Sequence, residues 1–213
     1  MDGTLYPNRR LYARIWPAVV GNLRLFSAFS RARGRIRDEQ EANPALVRPD
    51  FYDYQAALTA ERLGAEADDI KAKIEAIMYR GWEPLFAGIK LFPHARELLA
   101  ELRGAGLKLG LLSDFPPRKK LENMGLADAW DAVLCSEETG ALKPSAHPFK
   151  VMAQALGCPP AEILYVGNSR AYDVAGAARA GMKTALVSRR AAGVPKADFT
   201  FQDYRQLRGF VLG

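Results

Sequence analysis

The sequence has no run of about 18 consecutive apolar residues, so no membrane-spanning helix is expected. Its start lacks the charged, apolar and small-residue order of a secretory leader, so none is expected and a cytoplasmic location is. Only two cysteines occur, Cys135 and Cys158, without the short spacing of a metal site. They are expected to be buried thiols of a protein from a reducing compartment. Histidine is nearly absent too. His94 and His147 both sit beside prolines at expected helix starts, and neither is assigned a catalytic role. There is no internal repeat, no low-complexity segment and no base-reading motif. One further absence is local: no apolar run stands ahead of Asp2 to form a strand leading into it.

What is present is ordinary globular material. Of 213 residues, 49% are hydrophobic and 25% charged, enough to bury a sizeable core. The net charge of +6 suits a small anionic substrate as well as nucleic acid. Arg31, Arg33, Arg35 and Arg37 alternate with small or apolar residues. On a helix they spread round the axis, and the expectation is a solvated face rather than a nucleic-acid contact.

Two rhythms divide the chain. From 8 to 88 the pattern is helical: Leu11, Ile15, Val19 and Leu23 recur at helical spacing. A loop over Asn43 to Asp50 follows, then helices over Asp53 to Leu63 and Asp68 to Tyr79. From Pro93 short apolar runs alternate with helices. Strands are expected at Leu107 to Leu112, Ala132 to Cys135, Ile163 to Val166, Thr184 to Val187 and Phe199 to Phe201. That alternation predicts parallel strands with right-handed crossovers, an α/β doubly wound sheet.

Polar residues cluster where the expected strands end. Asp2-Gly3-Thr4 reads as a strand end breaking into a turn, although a frayed Asp-Gly turn reads the same way. The first expected strand runs into Ser113-Asp114, and the loop after the second carries Lys143-Pro144. The third runs into Asn168-Ser169-Arg170-Ala171-Tyr172-Asp173. Carboxyl ends of parallel strands are where such sheets hold ligands. A hydroxyl, a lysine and several oxygen donors suit a phosphate group with Mg²⁺. Each alone has a plainer reading: Ser113 a cap, Lys143 a surface lysine, Asp173 a first-turn carboxylate.

In order and spacing the set resembles the haloacid dehalogenase-like (HAD) hydrolase superfamily. Met1-Asp2-Gly3-Thr4-Leu5 looks like its first motif, D-x-D-G-T-[LV]. Leu111-Leu112-Ser113-Asp114 looks like the second, Lys143-Pro144 the third, and Gly167-Asn168 to Asp173 the fourth. The resemblance implies a Rossmann-like core over 1–7 and 89–213 with a helical cap inserted over 8–88. It also implies a Mg²⁺-dependent phosphatase acting on a small phosphorylated metabolite through an aspartyl-phosphate. Asp2 would be the acid/base and also a metal ligand, and Lys143 would offset phosphate charge. Thr4, Ser113, Asp114 and Lys143 would bind substrate; Asn168 and Asp173 would complete the metal site. Neither nucleic acid nor membrane is an implied partner.

Two departures shape the expectation. The family's attacking Asp falls directly before Met1, together with its strand, so the chain is expected to be truncated there and inactive or very weak. Asn168 stands where the family has an Asp ligand. A non-catalytic relative and a haloacid dehalogenase are the competing readings. Phosphate is favoured because carbon–halogen cleavage needs no acid for its leaving group.

Overall fold

The computed structural model describes residues 1–188 and 195–213. The chain opens with a tight loop in which the Met1 carbonyl accepts from the N–H groups of Thr4 at 3.1 Å and Leu5 at 2.9 Å. Gly3 makes that loop possible. Its φ is 73°, and a Cβ there would run into the Asn168 side chain. Leu5 and Tyr6 then turn inward and join the largest apolar cluster with Leu111 and Phe86.

Four helices follow. α1 (Asn8–Gly21) buries Leu11 and Ile15, and α2 (Leu23–Ala42) buries Leu25, Phe29, Ala32 and Ile36. α3 (Phe51–Leu63) packs on α2 and ends at left-handed Gly64, and α4 (Ala67–Ile74) packs on α3. The helix expected through Tyr79 changes character at Glu75: a π-helical turn (Glu75–Tyr79) leads into a 3-10 segment (Arg80–Phe86).

The arginine expectation needs correction. α2 sets Arg33 and Arg37 four residues apart on one inward face, while Arg31 and Arg35 stay outside. Arg33 is only 4% exposed. The cause is acidic: Asp114 and Glu137 wait on the facing surface. Cys135 is buried as expected, whereas Cys158 is partly exposed.

The second part alternates as its sequence predicts. α5 (Ala95–Gly104) precedes β1 (Gly110–Ser113), α6 (Arg118–Asn123) and β2 (Ala132–Cys135). Then come α7 (His147–Leu156), β3 (Leu164–Gly167), a π-helical turn (Arg170–Val174) and α8 (Ala175–Arg179). β4 (Lys183–Val187), β5 (Phe199–Phe201) and α9 (Tyr204–Leu212) complete the chain, α9 starting on a capping box of Asp203 and Gln206.

All pairings are parallel, but they make two sheets where one was expected. β1 pairs with β2, with Leu111 opposite Val133. β3, β4 and β5 pair in that order. α7 bridges the two: Leu112 of β1 and Tyr165 of β3 share a cluster around its Phe149, whose ring lies 4.8 Å from that of Tyr165.

Candidate active site

The carboxyl ends of β1 and β3 and the Met1–Tyr6 loop supply the polar residues of the site. Lys143 stands at the centre. Its Nζ donates to Asp173 Oδ1 at 2.8 Å and to the Tyr165 hydroxyl at 3.4 Å, and the residue is buried. Burial works against its charge, yet Tyr165, Asp173 and Asp114 outweigh this and hold the lysine well above its usual pKa. Burial likewise pushes the Asp173 carboxyl up, but Lys143 prevails and keeps it ionised below its usual range.

Asp173 also organises the loop after β3. Its Oδ2 accepts the N–H groups of Asn168 and Ser169, both at 3.0 Å. Gly167 is needed beneath it, since a Cβ there would strike the Asp173 side chain. The same loop reaches the chain's first turn: Thr4 Oγ1 donates to Asn168 Oδ1 at 3.3 Å. Tyr204 from α9 fixes that turn by donating to the Thr4 carbonyl.

Asp2 accepts a hydrogen bond from the Tyr6 hydroxyl. Burial acts to raise its carboxyl, but the Lys120 ammonium foremost, then the Met1 amino group, the Tyr6 hydrogen bond and Lys143, hold it below its usual range. Ser113 is buried, and its Oγ accepts the Phe115 N–H at 3.3 Å. It therefore caps its loop, and its own proton remains free to donate. Asp114 connects the site to α2. Its Oδ1 accepts the Lys143 N–H at 3.4 Å, and its Oδ2 lies 3.2 Å from Arg37 and 3.8 Å from Arg33. So its carboxylate is turned toward arginines.

Sequence reading missed the residues beyond these. Arg33 forms a buried ion pair with Glu137, in the 3-10 turn after β2, and donates to Gln55 at 3.0 Å. Tyr79 donates to Glu137 at 3.1 Å and accepts from Gln55 at 2.9 Å. Burial pushes Glu137 up to about 7 in spite of Arg33 against it. Arg37 completes the closure by donating to the Lys143 carbonyl at 2.9 Å and lying 4.6 Å from the Tyr172 ring centre. Lys120, on α6, was also missed. The only hint was its place four residues before Met124, on the face that α6 buries.

The comparisons fit this geometry. The model of the haloacid dehalogenase-like hydrolases matches residues 1–181. The chain belongs to this family. A glyceraldehyde 3-phosphate phosphatase of Methanopyrus kandleri is 33% identical over 135 residues, covering 62% of this chain and 57% of the relative. An (S)-2-haloacid dehalogenase of Xanthobacter autotrophicus is 34% identical over 136 residues, covering 62% of this chain and 50% of the relative. The chain thus spans about half the length of the curated relatives it matches. Among solved structures, a HAD phosphatase from Thermococcus onnurineus superposes with a TM-score of 0.63 at 24% identity, covering 99% of this chain and 94% of that one. The chain therefore has the HAD fold, a Rossmann-like core with a helical cap.

The donor chemistry of the site fits a hard divalent cation, since Asp2, Asn168 and Asp173 all offer oxygen. Both Asp173 oxygens, the Asn168 amide oxygen and Asp2 Oδ1 already accept hydrogen bonds, so a cation would compete with some of these donors. Among the described residues no three His, Cys, Asp or Glu side chains group as a metal cluster. Here the third donor is an amide.

Proposed function

We propose that this hydrolase is a Mg²⁺-dependent phosphatase for a small phosphomonoester, working through an aspartyl-phosphate whose carboxylate precedes Met1. The supporting observation is Asp2, a half-buried carboxylate kept beside Lys120 and Lys143 and next to the Thr4–Asn168 contact. A dehalogenase has no use for an acid at that place, because a departing halide takes no proton. A phosphate ester does. As the attacking carboxylate forms its bond to phosphorus, the ester P–O bond breaks, and Asp2, having taken up a proton as the anionic ester entered beside it, hands that proton to the leaving oxygen. Asp2 then accepts a proton from the water that cleaves the acyl phosphate. Lys143 and the Ser113 hydroxyl hold phosphoryl oxygens through these steps. A bound Mg²⁺, held by the Asp2 main-chain carbonyl and Asn168, would supply charge neutralisation for the approaching carboxylate.

The division of the strands into two sheets supports the position given to the nucleophile. A strand ending in Asp before Met1, lying between β1 and β3, would join them into one sheet and bring its carboxylate to Asp2. The test compares residues 1–213 with a form extended by such a strand, both checked for folding by circular dichroism. Aryl phosphate hydrolysis that appears only with the extension, needs Mg²⁺ and stops with EDTA is the expected result. A folded, extended protein that is inert across a broad ester panel would overturn the reading. It would favour a binding role instead, which the neutral Asn168 suits.

A further inference from the structure

Lys120 acts on Asp2 through its charge, but the chemistry above gives its buried head group no hydrogen-bond acceptor. It is 1% exposed, and its ammonium has no hydrogen-bond partner among the described residues. Leaving a buried ammonium without acceptors is costly. Two aromatic faces compensate in part: the Phe86 ring centre lies 5.0 Å from Nζ and that of Phe115 5.2 Å away. A ring face cannot accept three N–H bonds in the way oxygen can.

Its surroundings say what kind of acceptor fits. Phe115 follows the Ser113-Asp114 loop and touches the rings of Phe29, Tyr79 and Trp82 from the helical part. Phe86 touches Tyr6, the residue that bonds Asp2. Lys120 therefore sits on the cap-facing side of Asp2, where the proton goes to the leaving alcohol. Lys143, Asn168 and Asp173 lie on the strand-end side. The phosphoryl group has its own cation in Lys143, so a second one on the leaving-group side has a different task.

We propose that Lys120 is a specificity-determining residue that receives an anionic oxygen on the leaving alcohol, a carboxylate or a second phosphate. The proposal rests on the phosphatase reading and narrows its substrate class to esters whose alcohol itself carries negative charge. The aromatic walls add selection of their own. They exclude water, which makes the ammonium–oxygen pair stronger than it would be at the surface.

The test is calorimetric binding in Mg²⁺ buffer with three probes: inorganic phosphate, ethyl phosphate and 2-phosphoglycolate. In the unaltered protein 2-phosphoglycolate is expected to bind about 10- to 100-fold tighter than ethyl phosphate, the usual range for a hydrogen bond to a charged group. Lys120→Met fills the same apolar space without the charge. It should lower 2-phosphoglycolate affinity about 10- to 100-fold more than that of phosphate and ethyl phosphate, which fall only by the shared loss of charge beside Asp2. Equal binding of the two esters by the unaltered protein would overturn the proposal without any variant. An equal loss on all three probes with Lys120→Met would overturn it too, since the ammonium would then serve Asp2 rather than the alcohol. Failure of the unaltered protein to bind any of the three probes would overturn the proposal, while the phosphatase reading stands or falls separately on hydrolysis by the extended form.

Discussion

Two buried polar clusters meet at Asp114, and they are built on opposite rules. In one, Arg33, Gln55, Tyr79 and Glu137 bond one another, with hydrogen bonds running from the helical part to the turn after β2. In the other, at the strand ends, Lys143 and Asp173 are paired while, among the described residues, Lys120 has no hydrogen-bond partner and Ser113 keeps a proton to donate. A closed cluster can hold two parts of a fold together, and nothing more can enter it. An open one is poorly optimised for stability and ready for a ligand. The contrast predicts that substitutions in the closed cluster lower stability, while those in the open cluster lower activity.

The largest effect should fall on the open side. In the extended, folded form, Asp2→Asn should slow phosphate ester hydrolysis by about 10²–10⁴, the size of a general acid/base contribution. Its melting temperature should fall modestly, because the amide still accepts from Tyr6 but no longer offsets the charge of Lys120. Steady-state kinetics and a thermal melt on the same sample check both halves. A large fall in melting temperature would erase the contrast.

On the closed side, Arg33→Met should cost about 3–5 kcal/mol of stability, because it strands the Glu137 carboxylate inside the protein. Pairing it with Glu137→Gln should recover part of that loss. Urea unfolding of the single and double variants measures the coupling. Simple additivity would mean that the two side chains do not act as a pair.

Glu137 carries a pH signature as well. Its folded pKa of about 7 lies above the ordinary 4.5 of a glutamate. Between those values the folded state holds a proton that the unfolded chain releases. The stability this contributes is full below about pH 4.5 and is lost as pH rises through about 7. Measured against Glu137→Gln, the unaltered protein should lose up to about 3 kcal/mol across that window. Parallel pH–stability curves would show that the guanidinium of Arg33 keeps Glu137 ionised throughout.

Legibility in the sequence divides along the same line. The open cluster was readable because its residues follow apolar runs: Ser113 closes β1, Asn168 follows β3, and both positions come from strand patterning alone. The closed cluster was not. Arg33 looks like its neighbours Arg31 and Arg35, and only the acids that Asp114 and Glu137 bring from a distant part of the chain turn it inward. Lys120 was hidden in the same way, within the basic run Arg118-Lys119-Lys120, because burial of a charge is set by its tertiary surroundings. The separation into two sheets also escaped strand patterning, which predicts direction and order but says nothing of which edges meet.

The smallest expected effect concerns Asn168, where the open cluster borders its most tightly bonded part. Its amide oxygen accepts from Thr4, its main-chain N–H reaches Asp173, and Gly3 lies against its side chain. An aspartate has the same shape, so Asn168→Asp fits without moving Gly3, and the Thr4 hydroxyl donates to a carboxylate as readily as to an amide. What changes is charge. Without a cation the new carboxylate adds a second negative charge to the loop that Asp173 organises, and the variant should melt slightly below the unaltered protein. With Mg²⁺ that repulsion becomes attraction for the ion, and affinity should rise about tenfold, or about 1.4 kcal/mol. Calorimetric titration gives the affinity, and melts with and without Mg²⁺ give the crossover, so neither readout depends on turnover. If affinity is unchanged and the variant melts lower in both conditions, residue 168 lies outside the cation's reach. The amide would then belong to the bonded side of the site, as a hydrogen-bond acceptor for Thr4 and nothing else.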